Sequence, residues 1–91
     1  MSSSFINTVV VSDRRPLIDY VQSIVILFNQ GFDKIAIIGK GQNIARAVTV
    51  VNILRDKLGD SLSIDNIEIG SLKERSKRIS YIKIIVSRQL F

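Results

Sequence analysis

Short β-branched runs alternate along the chain with stretches whose apolar residues recur every three or four positions, and the two rhythms divide it into six elements. "FINTVVVS", Phe5 to Ser12, is a β-branched run ended by polar side chains and is predicted as a strand. After "DRRP" the period changes. Pro16 suits the first position of a helix, where its missing N–H has no intrahelical partner anyway. From there Leu17, Val21, Ile24, Val25 and Phe28 form one broad apolar face with Tyr20 and Leu27 at its margins, whereas Asp19, Gln22 and Ser23 lie away from it. "NQG" should end this helix, with Gly31 taking a left-handed cap.

"DKIAIIG", Asp33 to Gly39, is a compact apolar run whose near-continuous hydrophobicity predicts a central strand. Gly41 to Leu58 follows as a second helix. Its stripe of Ile44, Ala47, Val48, Val51, Leu54 and Leu58 is expected to meet the sheet. Val50 and Ile53 project about 100° or more from the middle of that stripe, beside Arg46 and Lys57, and are read as exposed interface residues. "SLSIDNIEIGS" alternates at Leu62 and Ile64, slips by one at Asp65-Asn66 and resumes at Ile67 and Ile69, which a β-bulge explains. Residues 79 to 88 form the last strand, with Ile82, Ile84 and Val86 on one face and Tyr81, Lys83 and Ile85 on the other. Between these strands, "LKERSKR" (Leu72 to Arg78) is a basic hairpin tip. The order β-α-β-α-β-β predicts an α/β chain of the α+β two-layer sandwich type, a four-stranded mixed sheet with two helices on one face.

At 91 residues the chain has room for one core, so residues 1–91 are read as a single domain, with 1–4 expected to fray. No apolar run approaches the roughly 18 residues of a membrane span, and "MSSS" lacks the features of a secretory signal, so the cytoplasm is the expected compartment. The absence of cysteine and histidine excludes disulfides, thiolate zinc sites, thiol nucleophiles and the commonest general base. Thirteen Lys and Arg against eight Asp and Glu give a net charge of +5, a balance that attracts polyanions.

"GKGQNIARAV" tests that attraction. A mononucleotide loop needs its lysine after the second glycine and a hydroxyl residue next, but here Lys40 precedes Gly41 and Gln42 follows it. The dinucleotide fingerprint starts with Gly39 and Gly41 but has Ile44 at its third glycine position, so the close helix–strand packing supplied there is expected to be missing. What survives is an anion site: glycines that let the backbone turn, a helix start with unpaired N–H groups, and the charges of Lys40 and Arg46. The same two glycines also fit a plain strand-to-helix junction. Arg14 and Arg15 stand before the other helix, where Arg15 is a poor cap that leaves the backbone donors open. If the first two strands are parallel, Arg14, Arg15, Lys40 and Arg46 converge on one rim. The tip residues Lys73, Arg75, Lys77 and Arg78 suit either a solvated loop or a β-arm that enters a DNA groove. Asp13, Asp19, Asp33 and Glu74 do not assemble into a two-metal cluster by spacing, so the reading is non-enzymatic, with no cofactor and no metal; a small nuclease is the rival from another class.

"RRPLIDYV", "LFNQG", "GKGQNIARAV" and the late basic hairpin together resemble the Alba family of archaeal chromatin proteins, and within it a diverged second paralogue, over about Val9 to Arg88. The resemblance implies the β-α-β-α-β-β fold, which is similar to the C-terminal domain of translation initiation factor three. It also implies dimers that bind double-stranded DNA with little sequence preference, and in many members RNA. By the same resemblance the family's paired basic residues fall on Arg14 and Arg15 and its second-loop basic residue on Lys40. The next basic position is Gln42, beside Asn43 in the same motif, and Arg46 keeps a charge one turn on. The lysine on which the family's acetylation switch acts falls on Arg14, so that regulation is not expected here. The aromatic contact between neighbouring dimers falls on Leu58. Val50, Ile53, Lys57, Leu58 and Ile85 are the expected dimer or dimer–dimer residues. A chromosome-associated protein of the archaeal cytoplasm is the leading expectation; an RNA-directed ribonucleoprotein subunit and a heterodimerising partner of another Alba paralogue that modulates DNA compaction are the alternatives.

Overall fold

The computed structural model describes residues 6–89, so the expected fraying of residues 1–4, and Phe5 at the start of the first predicted strand, lie outside the described residues. The elements are β1 (Ile6–Val11), α1 (Leu17–Asn29), β2 (Lys34–Lys40), a 3-10 turn (Gly41–Asn43), α2 (Ile44–Leu58), a second 3-10 turn (Gly59–Ser61), β3 (Leu62–Glu74) and β4 (Lys77–Arg88). They form one sheet of order β1-β2-β4-β3, in which β1 and β2 are parallel and the other two pairings antiparallel.

Both helices lie on one face of this sheet. Val11 of β1, Ile35 and Ile37 of β2, and Ile82, Ile84 and Val86 of β4 share a core with Tyr20, Val21, Ile24 and Phe28 of α1 and with Ala47, Val50, Val51 and Leu54 of α2. Each such Ile, Val or Leu stabilises the fold by about 1.5–3 kcal/mol relative to exposure. Pro16 is the N-cap of α1 rather than its first helical residue, and Gly31, with φ of 102°, turns the chain after the helix. The predicted slip in β3 is a register shift between Ile64 and Asn66 that leaves Asp65 unpaired.

The buried face of α2 differs from the one expected. Val50 is fully buried, whereas Val48 is 37% exposed. A stripe centred on the sheet alone leaves out α1, on which α2 also leans. A groove between the helices is lined by Val21, Gln22, Val25, Ile26 and Lys57, so the flank of α2 that holds Val50, Ile53 and Lys57 faces α1 and the opposite flank, with Val48, faces solvent. Ile53 and Leu58 are partly buried against the same core, and Ile85 is half-buried on the helix-free face of the sheet, so none of Val50, Ile53 and Ile85 is the freely exposed side chain that the pattern predicts.

The close helix–strand approach that the missing third glycine would have supplied is present by other means. A Cβ on Gly39 would collide with the Asn43 carbonyl oxygen and approach Ala47 Cβ to 2.8 Å. Gly39 and Ala47 therefore bring β2 and α2 together where Ile44 does not. Gly41 has φ of 55°, a left-handed conformation that lets the chain leave the strand sharply.

Candidate nucleic-acid interface

Three basic segments leave the same end of the sheet. Because β1 and β2 are parallel and in register up to Val11 opposite Gly39, the loops that follow them emerge side by side. β4 runs antiparallel to β2 and is paired with it only from Tyr81 onward, opposite Lys40. Its residues before Tyr81, together with their β3 partners Ser71 to Glu74, therefore continue past the sheet as a two-stranded arm at that same end. Four residues of extended chain, 77 to 80, project about 13 Å.

The arm is longer and tighter than the predicted tip. Lys73, Glu74, Lys77 and Arg78 are strand residues, paired Lys73 with Arg78 and Glu74 with Lys77, and only Arg75 and Ser76 form the turn. Both have positive φ, 49° and 68°, as a two-residue turn with primed geometry demands. All four cations of the arm are exposed, and Arg78 Nη1 donates to Ser71 Oγ at 3.2 Å. An open cleft lined by Glu74, Arg75, Lys77 and Ile79 lies at the end of the arm.

In the β1–α1 loop, Arg14 and Arg15 are exposed, and no side chain caps α1. No side chain caps the 3-10 turn or α2 either, so the backbone donors at both helix starts have no side-chain partner. Lys40, half-exposed at the end of β2, has Nζ 3.4 Å from Glu74 Oε2, which links the arm to the body. Gln42 is exposed on the 3-10 turn, whereas Asn43 is half-buried and its Oδ1 is buried without a hydrogen-bond partner. Arg46 does not project freely: its Nε donates to the Ser12 carbonyl at 3.1 Å and its Nη2 to the Arg15 carbonyl at 2.5 Å. The structure thus gathers Arg14, Arg15, Lys40, Gln42, Asn43 and Arg46 at one end, with Lys73, Arg75, Lys77 and Arg78 on the arm beside them. That is eight of the thirteen cations.

Several participants escaped the sequence reading. The Tyr20 hydroxyl, expected at the margin of the helix face, accepts the Ser12 N–H at 3.1 Å and lies 3.0 Å from Ser12 Oγ. Those Ser12 contacts, together with the nearby Arg15 and Arg46 charges, outweigh burial and hold its phenol below its usual pKa. On the helix-free face Tyr81 lies across Gly70 and donates to Glu68 Oε2 at 2.5 Å, an interaction that raises its pKa. Ile64, Ile67 and Ile69 pair with Val86, Ile84 and Ile82 and so point to the helix side, yet they are 37%, 54% and 75% exposed because no helix covers β3. Together they make an apolar strip along the edge strand, and Val48 of α2 is exposed as well. A chain with two helices for four strands must leave part of one face bare, but only strand order reveals which part.

Among the described residues there is no group of three or more acidic, His or Cys side chains able to hold a metal ion, and no helix is long and apolar enough to cross a membrane.

A family model described as Alba matches residues 7–71, stopping short of most of the arm. The chain is 39% identical over 83 residues to the DNA/RNA-binding protein Alba 2 of Saccharolobus solfataricus, covering 91% of this chain and 93% of that one, and equally so to its counterpart in Saccharolobus shibatae. Among solved structures, Alba from Thermoplasma volcanium superimposes with a TM-score of 0.77 at 30% identity over 90% of this chain and all of that one. ALBA1 from Trypanosoma brucei shares the fold, with a TM-score of 0.81 at 24% identity over 91% of this chain and 69% of that one.

Proposed function

This chain belongs to the Alba family, and from that premise we propose that it is a non-catalytic architectural protein that binds double-stranded DNA, and RNA as well, through phosphates. One observation supports this above the others: two uncapped loops and a basic arm leave one end of the sheet and bring Arg14, Arg15, Lys40 and the arm cations together. Lys and Arg on separate loops neutralise successive phosphates along a backbone without reading base edges. The arm, two strands wide, is narrow enough to follow a groove, where its cations meet the negative potential. The 39% identical relatives are named as DNA/RNA-binding, in accord with this reading.

The working unit is a dimer. The exposed apolar strip of Ile64, Ile67 and Ile69 on the edge strand β3, together with the exposed Val48 of α2, offers a surface that a second copy related by a two-fold axis would cover. Such a dimer carries two arms and two rims, and acts on chromosomal DNA in the cytoplasm.

Titration of labelled DNA and RNA duplexes at several salt concentrations tests the reading. Affinity should fall steeply with salt and vary little with sequence. Lys40→Ala, and Arg14→Ala combined with Arg15→Ala, should each weaken binding to every duplex and flatten the plot of log K against log salt by about 0.9 for each phosphate no longer neutralised. Unchanged affinity in both variants would exclude the rim as the binding surface.

A further inference from the structure

The β1–α1 loop has to present Arg14 and Arg15 outward, yet it contains no glycine, and its own side chains fix it only weakly: Ser12 Oγ accepts the Arg14 N–H at 3.3 Å. Two residues outside the loop do the rest. Arg46, in the first turn of α2, grips the loop at both ends through the Ser12 and Arg15 carbonyls, at 3.1 and 2.5 Å. Tyr20, only 6% exposed, holds Ser12 from beneath through its N–H at 3.1 Å and its Oγ at 3.0 Å, the same Oγ that receives Arg14.

We propose that Arg46 is a positioning residue and not a phosphate ligand: with Tyr20 it braces the β1–α1 loop so that Arg14 and Arg15 stand beside Lys40 before any nucleic acid arrives. The assignment rests on the reading of this rim as the nucleic-acid surface. Its physical basis is the geometry of the guanidinium, a rigid planar fork whose Nε and Nη2 are both engaged by backbone carbonyls thirty-one and thirty-four residues away in sequence. A lysine brings the same charge to this position but cannot donate along two fixed directions at once. Parallel pairing of β1 with β2 is what places these carbonyls over the start of α2, so the brace depends on the same topology that assembles the rim. A loop held in its binding arrangement avoids the penalty that follows when only a fraction of molecules is competent.

The test is a set of variants on one DNA duplex across a salt series: Arg46→Lys, Arg46→Gln, Tyr20→Phe, Arg14→Ala with Arg15→Ala, and the first three in that last background, each with a thermal melt. A brace predicts that Arg46→Lys weakens binding nearly as much as Arg46→Gln, about tenfold if the loop is ordered one-tenth of the time. Tyr20→Phe, which removes the hydroxyl that holds Ser12, should weaken binding in the same sense. Once Arg14 and Arg15 are gone, all three substitutions should lose most of their effect. Tyr20→Phe keeps its ring in the core, so the comparison stands even where an Arg46 variant folds poorly. If Arg46→Lys binds like wild type while Arg46→Gln loses affinity and about 0.9 of salt slope with or without Arg14 and Arg15, Arg46 is a direct ligand and the brace is refuted. If wild type binds and both Arg46→Lys and Tyr20→Phe match it, the brace alone fails; a wild-type chain that binds no duplex overturns the functional reading and the brace with it.

Discussion

Lys40 and Glu74 meet across the joint between body and arm, Nζ to Oε2 at 3.4 Å, although thirty-four residues separate them in the chain. Glu74 is the one acid of the arm and it lies on the same sheet face as Lys40, so it occupies the position from which a phosphate would reach that ammonium. Phosphate binding at Lys40, as proposed, would compete with this pair. An exposed ion pair is worth about 0.2–1 kcal/mol, so Glu74→Gln should tighten duplex binding by up to about fivefold. The gain should vanish in a Lys40→Ala background. Weaker binding by Glu74→Gln would mean that the carboxylate orders the arm more than it competes.

Self-association should depend on β3 more than on the α2 residues that the sequence singles out. Ile67 is 54% exposed in the middle of the strip, while Val50 is fully buried within the monomer. Ile67→Glu places a charge in the proposed interface and should weaken dimerisation about a hundredfold, read by sedimentation equilibrium, with little change in the monomer's fold. Val50→Ala, in contrast, should destabilise the monomer through a core cavity and affect association only as a consequence. A dimer that survives Ile67→Glu intact would place the interface elsewhere.

Acid stability has a local source at the β3 bulge. Burial alone would raise the Asp65 pKa, but hydrogen bonds from Ser63 and Ser87 and the charge of Lys34, 3.5 Å away, outweigh it and leave the value lowered. A carboxylate lowered in the folded state contributes stability that is fully present above its unfolded pKa of about 3.9 and is lost as pH falls through the folded value. Asp65 is partly solvated, so the contribution is less than about 1 kcal/mol. Urea unfolding should show Asp65→Asn less stable than wild type at pH 7, with the gap closing below about pH 4. A gap independent of pH would remove the ion pair and hydrogen bonds as its cause.

What the sequence reveals follows from how local each signal is. The alternation of Ile82, Ile84 and Val86, the helical rhythm of α1 and the slip at Asp65 are written in neighbouring residues, and each corresponds to an observed feature. The orientation of α2 is not local: Val50 and Val48 exchange places because α1 leans on one flank, which no stripe on α2 can announce. The turn at Arg75-Ser76 is hidden for another reason, since neither residue is a glycine or asparagine and the left-handed backbone there is imposed by the strands on either side. Arg14, Arg15 and Lys40 can be grouped from sequence once parallel pairing is assumed. Arg46 looks like one more surface cation, because its carbonyl partners become visible only when β1 and β2 are side by side.

Gly39 joins fold to site. It is the last residue of β2 before Lys40, and an added methyl there meets the Asn43 carbonyl oxygen and, at 2.8 Å, Ala47 Cβ. The first of these is backbone at the start of α2 and cannot rotate away, so the helix itself must shift. Gly39→Ala should therefore cost about 1–3 kcal/mol, seen as a fall of about 5 °C or more in Tm. Ala47→Gly in the same chain removes the side-chain obstacle and leaves the carbonyl, so it should not restore stability. Because Arg46 lies in the first turn of the displaced helix, Gly39→Ala should also loosen its hold on Ser12 and Arg15 and weaken duplex binding under conditions where the variant is still folded. Full rescue by Ala47→Gly would show that β2 and α2 are kept apart by side chains alone and that the glycine is dispensable to the joint.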